Sequence, residues 1–161
     1  MERIHRRIAV LALAWAGLAA TPLAASAPSP FRDPYLGNRL AFTVPDRQAG
    51  CVADLLGRRG VTCDSAVGPG SRRAPADRPG TPPKPASCSM GWGVRYVLPP
   101  RGRPYGRCAS TWIGSGHRML HAGRTLRMGR GIHCRARVNG VVCRNRTGHG
   151  FVLTRARVRL F

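Results

Sequence analysis

Residues 131–161 read GIHCRARVNGVVCRNRTGHGFVLTRARVRLF, and the fold is decided there. In Ile132-His133-Cys134-Arg135-Ala136-Arg137-Val138 the even positions are apolar and the odd ones are His or Arg. That period of two belongs to a half-buried strand. Asn139-Gly140 follows, the preferred pair for a tight hairpin because both residues accept positive φ. The returning strand puts Val141 and Cys143 on one face and Val142, Arg144 and Arg146 on the other. A two-residue Asn-Gly loop pairs Cys143 with Ala136, whereas a four-residue loop over 137–140 sets Cys134 directly opposite Cys143. Both registers leave the two cysteines on one face. Thr154, Ala156, Val158 and Leu160 alternate with Arg155, Arg157 and Arg159, predicting a last strand over 154–160 with an apolar end tied down by burial.

Working outward, AFTV (41–44), GCVAD (50–54) and VTCDS (61–65) are further strand-like runs, with a turn at LLGRRG (55–60). Residues 68–87 hold six prolines and three glycines and read as an exposed loop that cannot join a sheet. Residues 88–108 contain the apolar run WGVRYVL and a Pro/Gly turn. Residues 28–40, broken by three prolines and a glycine, read as a flexible tail. The fold class is therefore all-β: a small, disulfide-stapled antiparallel sandwich or barrel over 41–161. A weak internal likeness links FTVPDRQAGCVADLLGRRGVTCD to LRMGRGIHCRARVNGVVCRN, which suggests duplication.

The N-terminus carries Arg3, Arg6 and Arg7, then an apolar run from Ile8 to Ala20, then small residues, the pattern of a secretory signal peptide over 1–27. Thirteen apolar residues are too few to span a bilayer, which needs about 20, so cleavage rather than a transmembrane anchor is expected. Export permits disulfides, and the six cysteines fall into near pairs: Cys51 with Cys63, Cys88 with Cys108 and Cys134 with Cys143. They are read as staples, without chemistry of their own.

The 161 residues carry 27 Lys+Arg against 6 Asp+Glu, a formal charge of +21, with mean hydropathy −0.21. All the cations but Lys84 are arginine, and beyond Asp77 there is no acidic residue. Loss of 1–27 would remove three arginines and Glu2 and leave +19. Nucleotide enzymes are disfavoured, since no phosphate loop or dinucleotide fingerprint occurs. Ser115, in IGSGH, lacks the first glycine of a nucleophile elbow. Glycoside cleavage needs two opposed carboxyl groups. Asp54 and Asp64 flank the first cysteine hairpin and could approach one another, but pairing with arginines or turn capping is the expected use. His117 and His121 have helix ligand spacing, but Gly114, Gly116 and Gly123 oppose a helix, and His133 or His149 would have to complete a metal site. No metal or cofactor is expected. Gly148-His149-Gly150 reads as a structural turn whose histidine ring bonds to backbone, and Asn145-Arg146-Thr147 matches a glycosylation sequon.

The order Cys51–Cys63, PPKPASCSMGWG (82–93), Cys108, GIHC (131–134) and GVVCRNRTGHGFVLTR (140–155) resembles a family of small secreted actinobacterial proteins of unknown function, over about residues 40–161. The chain departs from that pattern at Gly91, at Ala109-Ser110-Thr111 and at 45–49. The resemblance implies export, disulfides and β structure, and brings no reaction.

Arginine is left as the functional candidate. If the strands over 132–138, 141–146 and 154–160 share a sheet, Arg135, Arg137, Arg144, Arg146, Arg155, Arg157 and Arg159 project from one side. Like charges opposite one another oppose pairing, so a polyanion would relieve them, and guanidinium forks suit phosphate and carboxylate. The expected protein is a secreted, cationic, non-enzymatic module for an anionic envelope polymer or nucleic acid. The alternatives are a secreted hydrolase with an unrecognised Asp/His site and an inhibitor or interaction module presenting the segment between Cys88 and Cys108.

Overall fold

The computed structural model describes residues 29–45, 49–57, 59–65, 75–113 and 116–161; the expected signal peptide lies outside them. Two antiparallel sheets make up the fold. The first runs in order β1 (Arg32–Asp33), β2 (Arg39–Thr43), β3 (Ala49–Ala53), β4 (Val61–Ser65), β5 (Gly91–Leu98) and β6 (Tyr105–Ala109). The second, in order β11-β10-β9-β8-β7, contains β7 (Thr125–Gly129), β8 (Ile132–Arg137), β9 (Gly140–Arg144), β10 (Gly150–Thr154) and β11 (Val158–Leu160). No described helix is long and apolar enough to cross a membrane.

Alternation fixes how the second sheet meets the first. Along β8, Ile132, Cys134 and Ala136 are buried while His133, Arg135 and Arg137 are exposed. The buried set joins Phe42, Val61, Tyr96 and Leu98 of the first sheet, with Val44 just past β2, in one apolar cluster, so the sheets pack face to face as a sandwich. Both sheets carry the same cross-strand row. In the first it is Phe42, Cys51, Cys63 and Tyr96; in the second it is Leu126, Cys134, Cys143 and Phe151. The weak sequence likeness thus corresponds to two equivalent meanders, β2–β5 and β7–β10.

All three cysteine pairs, Cys51–Cys63, Cys88–Cys108 and Cys134–Cys143, are at bonding distance. The first and third face each other across the core, with Cys63 Sγ 3.9 Å from Cys143 Sγ. The cluster formed by Cys51, Cys63 and Cys143 is this disulfide stack, so its sulfurs are already bonded. Converting Cys134 and Cys143 together to alanine is expected to lower unfolding free energy by about 3 kcal/mol, the value for a loop of roughly ten residues. Urea denaturation of the oxidised variant and parent measures it.

Several expectations change. The β8–β9 hairpin has the register with Cys134 opposite Cys143, but Arg137 also pairs with Gly140, so the turn is centred on Val138-Asn139. Neither residue has positive φ. Gly140 instead lies in the strand, at φ 147°, where a Cβ would fall 1.9 Å from the Leu153 carbonyl oxygen. Close backbone approach, rather than a turn, fixes this glycine.

The expected last strand over 154–160 is a hairpin. Phe151 and Leu153 are fully buried in β10. Thr154 then turns the chain: its Oγ1 accepts from Arg157 N–H (3.0 Å) and donates to the Arg157 carbonyl (3.0 Å). A short polar side chain bonded to nearby backbone in this way competes with strand extension.

Of residues 28–40, expected as a tail, the described ones, from 29 on, contribute β1, a turn of 3₁₀ helix over Pro34–Leu36 capped by Asp33, and the start of β2. The proline-rich 68–87 segment makes no strand among its described residues, yet it seals an edge. The Pro79 carbonyl accepts from Val158 N–H (2.8 Å), and Gly80 lies against the Val158 carbonyl where no Cβ fits.

Candidate functional site: an arginine-lined outer face

The same alternation that buries Cys134 and Ala136 turns Arg135 and Arg137 outward, and the register places their neighbours. One outer row is Thr125, Arg135, Val142, Val152 and Arg159; the next is Arg127, His133, Arg144 and Gly150. Arg137 lies beyond, opposite Gly140. Arg127, Arg135, Arg137, Arg144 and Arg159 are all exposed, and none has a carboxylate within ion-pair distance among the described residues.

No two of these arginines are directly opposite. Each faces valine, glycine, histidine or threonine across the strand pair, which corrects the expected like-charge clash. The face interleaves charge with small and apolar residues through its register. Phe161 extends it: its backbone exchanges hydrogen bonds with Gly150 (2.8 and 2.9 Å), and its ring lies over that glycine, where a Cβ would come 2.8 Å from the ring. The Arg144 and Arg159 guanidinium groups stand 5.2 and 5.8 Å from the ring centroid. Stacking of this kind holds the planar forks in place while their edges stay available for acceptors.

Arg146, Arg155 and Arg157 leave the predicted face. Arg146 sits in the β9–β10 turn, where its Nη2 donates to the Arg130 carbonyl (3.2 Å). Arg155 and Arg157 belong to the turn organised by Thr154. Arg127 joins the face although sequence reasoning omitted it. A register count from Cys134 to Leu126 would have found it, because that pairing puts Arg127 beside His133.

The catalytic candidates are not assembled. Asp64 is 1% exposed and forms a bidentate pair with Arg95, its Oδ1 2.7 Å from Nε and its Oδ2 2.8 Å from Nη2. Its Oδ2 also accepts from Ile113 N–H (2.9 Å). Asp54 lies at the other end of the β3–β4 hairpin, accepting from Gly60 N–H (2.9 Å) and pairing with Arg130 at 3.2 Å.

His117 Nδ1 is 2.7 Å from Asp33 Oδ2, and its Nε2 is 2.7 Å from the Ile113 carbonyl. A carbonyl only accepts, so Nε2 donates there, and Nδ1 lies at hydrogen-bond distance from the carboxylate. Both ring nitrogens are occupied, which leaves no lone pair for a metal shared with exposed His121. His133 faces outward among the arginines. Gly114 and Ser115 lie outside the described residues.

The Gly148-His149-Gly150 turn is organised by Asn145, not by the histidine ring. Asn145 Oδ1 accepts from Thr147 N–H, Thr147 Oγ1–H and His149 N–H at 2.9–3.1 Å. Its Nδ2 donates to the Pro99 and Gly102 carbonyls (3.0 and 2.8 Å). With Asn145 4% exposed and its amide nitrogen engaged, the sequon is not an accessible acceptor in the fold. The His149 ring lines an open hollow of ≈ 400 Å³ with Arg103, Pro104, Leu160 and Phe161. The segment between Cys88 and Cys108 is the β5–β6 hairpin, whose turn exposes Arg101, Gly102 and Arg103.

These features define a class: a two-sheet β protein with paired cysteines in its core and an arginine-dominated outer face. The chain belongs to a family of unknown function, DUF6636, whose model matches residues 14–161. No curated protein and no solved structure matches it.

Proposed function

We propose that this chain is a secreted, non-enzymatic binding module that docks a linear phosphodiester polymer of the cell envelope on the outer face of β7–β11. One observation carries the reading: five exposed arginines on one sheet face without a carboxylate partner among the described residues, in a chain with no acid after Asp77. Arg135 and Arg137 stand about 7 Å apart along β8, and Arg135 and Arg159 are three strand spacings apart, about 14 Å. The ligand such an array suits is extended and repeatedly charged. Three cysteine pairs fit an oxidising compartment outside the cytoplasm.

The test is binding of a poly(glycerol phosphate) chain across a salt series, with duplex DNA as the second arm. Arg135→Gln/Arg144→Gln/Arg159→Gln is compared with a control of equal charge, Arg32→Gln/Arg107→Gln/Arg118→Gln, on the other sheet and the segment before β7. Five phosphate contacts predict a log K against log salt slope of about −4. The face variant is expected to bind at least about tenfold more weakly with a shallower slope, and the control to change by less than about twofold. Equal losses in both variants would reduce the interaction to net charge and sink the reading. Tighter binding of DNA than of the polymer would replace the envelope polymer with nucleic acid.

A further inference from the structure

Four hairpin turns meet at one end of the sandwich, and each contributes an arginine. Arg59 comes from the β3–β4 turn, Arg101 from β5–β6, Arg130 from β7–β8 and Arg146 from β9–β10; with Pro100 they line one open hollow of ≈ 470 Å³. The sole acidic partner there among the described residues is Asp54, 3.2 Å from Arg130 Nε. The hollow thus carries an excess of three positive charges.

Its walls are held in place by contacts between turns. Asn145 ties the β9–β10 turn to the β5–β6 turn through the Pro99 and Gly102 carbonyls. Arg146 bonds to the Arg130 carbonyl and lies over Gly131, where a Cβ would come 2.9 Å from its Nε. Arg130 itself has φ 50°, at a turn position where asparagine or glycine is the ordinary choice. A long cationic side chain is therefore kept at this corner against backbone preference, and its partner Asp54 also has φ 50°.

We propose that this hollow is a discrete site, separate from the outer sheet face, for a compact, multiply charged phosphate group such as a phosphate monoester or pyrophosphate. Four guanidinium groups supplied by separate turns around one hollow suit a compact, multiply charged oxyanion better than an extended chain. Asp54 neutralises one fork in the empty state and sets the strength of the site. The inference does not rest on the polymer reading, because the two sites use different arginines.

Calorimetric titration of the oxidised protein with inorganic pyrophosphate at low salt tests it. Arg59→Gln/Arg101→Gln removes two exposed side chains and is expected to weaken binding by more than about tenfold, with an unchanged melting temperature. Asp54→Asn keeps an acceptor for Gly60 N–H, removes the competing charge, and is expected to strengthen binding several-fold. The Arg135→Gln/Arg144→Gln/Arg159→Gln variant is expected to bind pyrophosphate as the parent does. Absence of binding at millimolar pyrophosphate, or equal affinity in the parent and Arg59→Gln/Arg101→Gln, overturns the site. A loss as large in the sheet-face variant as in the turn variant also overturns it, since it would mean general charge attraction.

Discussion

Replacing Asp64 with alanine is expected to destabilise the protein by about 3–5 kcal/mol, the range for removing one partner of a buried ion pair. Asp64 and Arg95 lie in register on β4 and β5, on the outer side of the first sheet. They are 1% and 9% exposed, and the carboxylate meets the guanidinium edge-on through two bonds. The pair also anchors the segment after β6: Ile113 N–H donates to Asp64 Oδ2, and Arg95 Nη2 donates to the Thr111 carbonyl (2.6 Å). Alanine would leave a buried cation, release that segment and orphan a backbone N–H. Asp64→Leu with Arg95→Met removes both charges, so its cost should fall well below the sum of the single changes. Urea denaturation of the two single variants and the double variant reads this directly. A cost below about 1 kcal/mol for Asp64→Ala would contradict the structural role given to the pair.

Arg78→Met is expected to cost a comparable amount, about 3–5 kcal/mol, for a different reason. Arg78 is 3% exposed and has no carboxylate at ion-pair distance among the described residues. Its Nη1 donates to Ser65 Oγ (2.8 Å) and the Thr154 carbonyl (2.9 Å), and its Nη2 to the Gly93 carbonyl. One guanidinium therefore joins β4, β5 and β10, bolting the two sheets together. Burial lowers its pKa from the ordinary arginine value, with nearby Tyr96 opposing the shift, and its Nε is buried without a partner. Desolvation is thus incompletely offset, and the arginine is held by geometry that methionine lacks. Methionine would fill much of the volume while leaving the Thr154 and Gly93 carbonyls without that donor. Lysine should recover only part of the loss, since one ammonium does not reproduce the planar fork. Besides the loss of stability, amide exchange should quicken at Val158, whose N–H is held by Pro79 next to the bolt. Unchanged exchange there, together with a small stability loss, would refute the bolt.

These two groups also mark where sequence reading stopped. The β8 strand was legible because each buried residue alternates with a charged one, and the cysteine pairs were legible because each lies in or beside one hairpin. Arg78 stands in a Pro/Gly-rich stretch, where an arginine reads as solvated, and nothing local announces its burial. Asp64 and Arg95 are separated by the same stretch and become partners only when β4 and β5 are brought into register. Thr154 looked like the start of a strand because the alternation continues through Arg155 and Arg157. Its hydroxyl, bonded at both ends of the turn, ended the strand instead. Arg59, Arg101, Arg130 and Arg146 are far apart in the chain, and each stands in a different turn. Their convergence is a property of the sandwich end, where hairpins distant in sequence meet.

The outer arginine face was partly legible for the same reason. Strand alternation predicts Arg135, Arg137, Arg144 and Arg159 on one side, whereas the turn residues Arg146, Arg155 and Arg157 follow rules that alternation does not contain. Register then decides whether such a face repels itself. With Val142, Val152, Gly140 and Gly150 between the arginines, it presents spaced cations on a sheet that pairs normally.

The most direct test of polymer docking on that face is an amide chemical-shift map of the oxidised protein titrated with poly(glycerol phosphate). The account predicts that shifts concentrate on β7–β11, at Arg135, Val142, Val152, Arg159 and Phe161, while Thr62, Val97 and Arg107 of the first sheet stay still. Shifts spread evenly over both sheets, or confined to the first sheet, would contradict it.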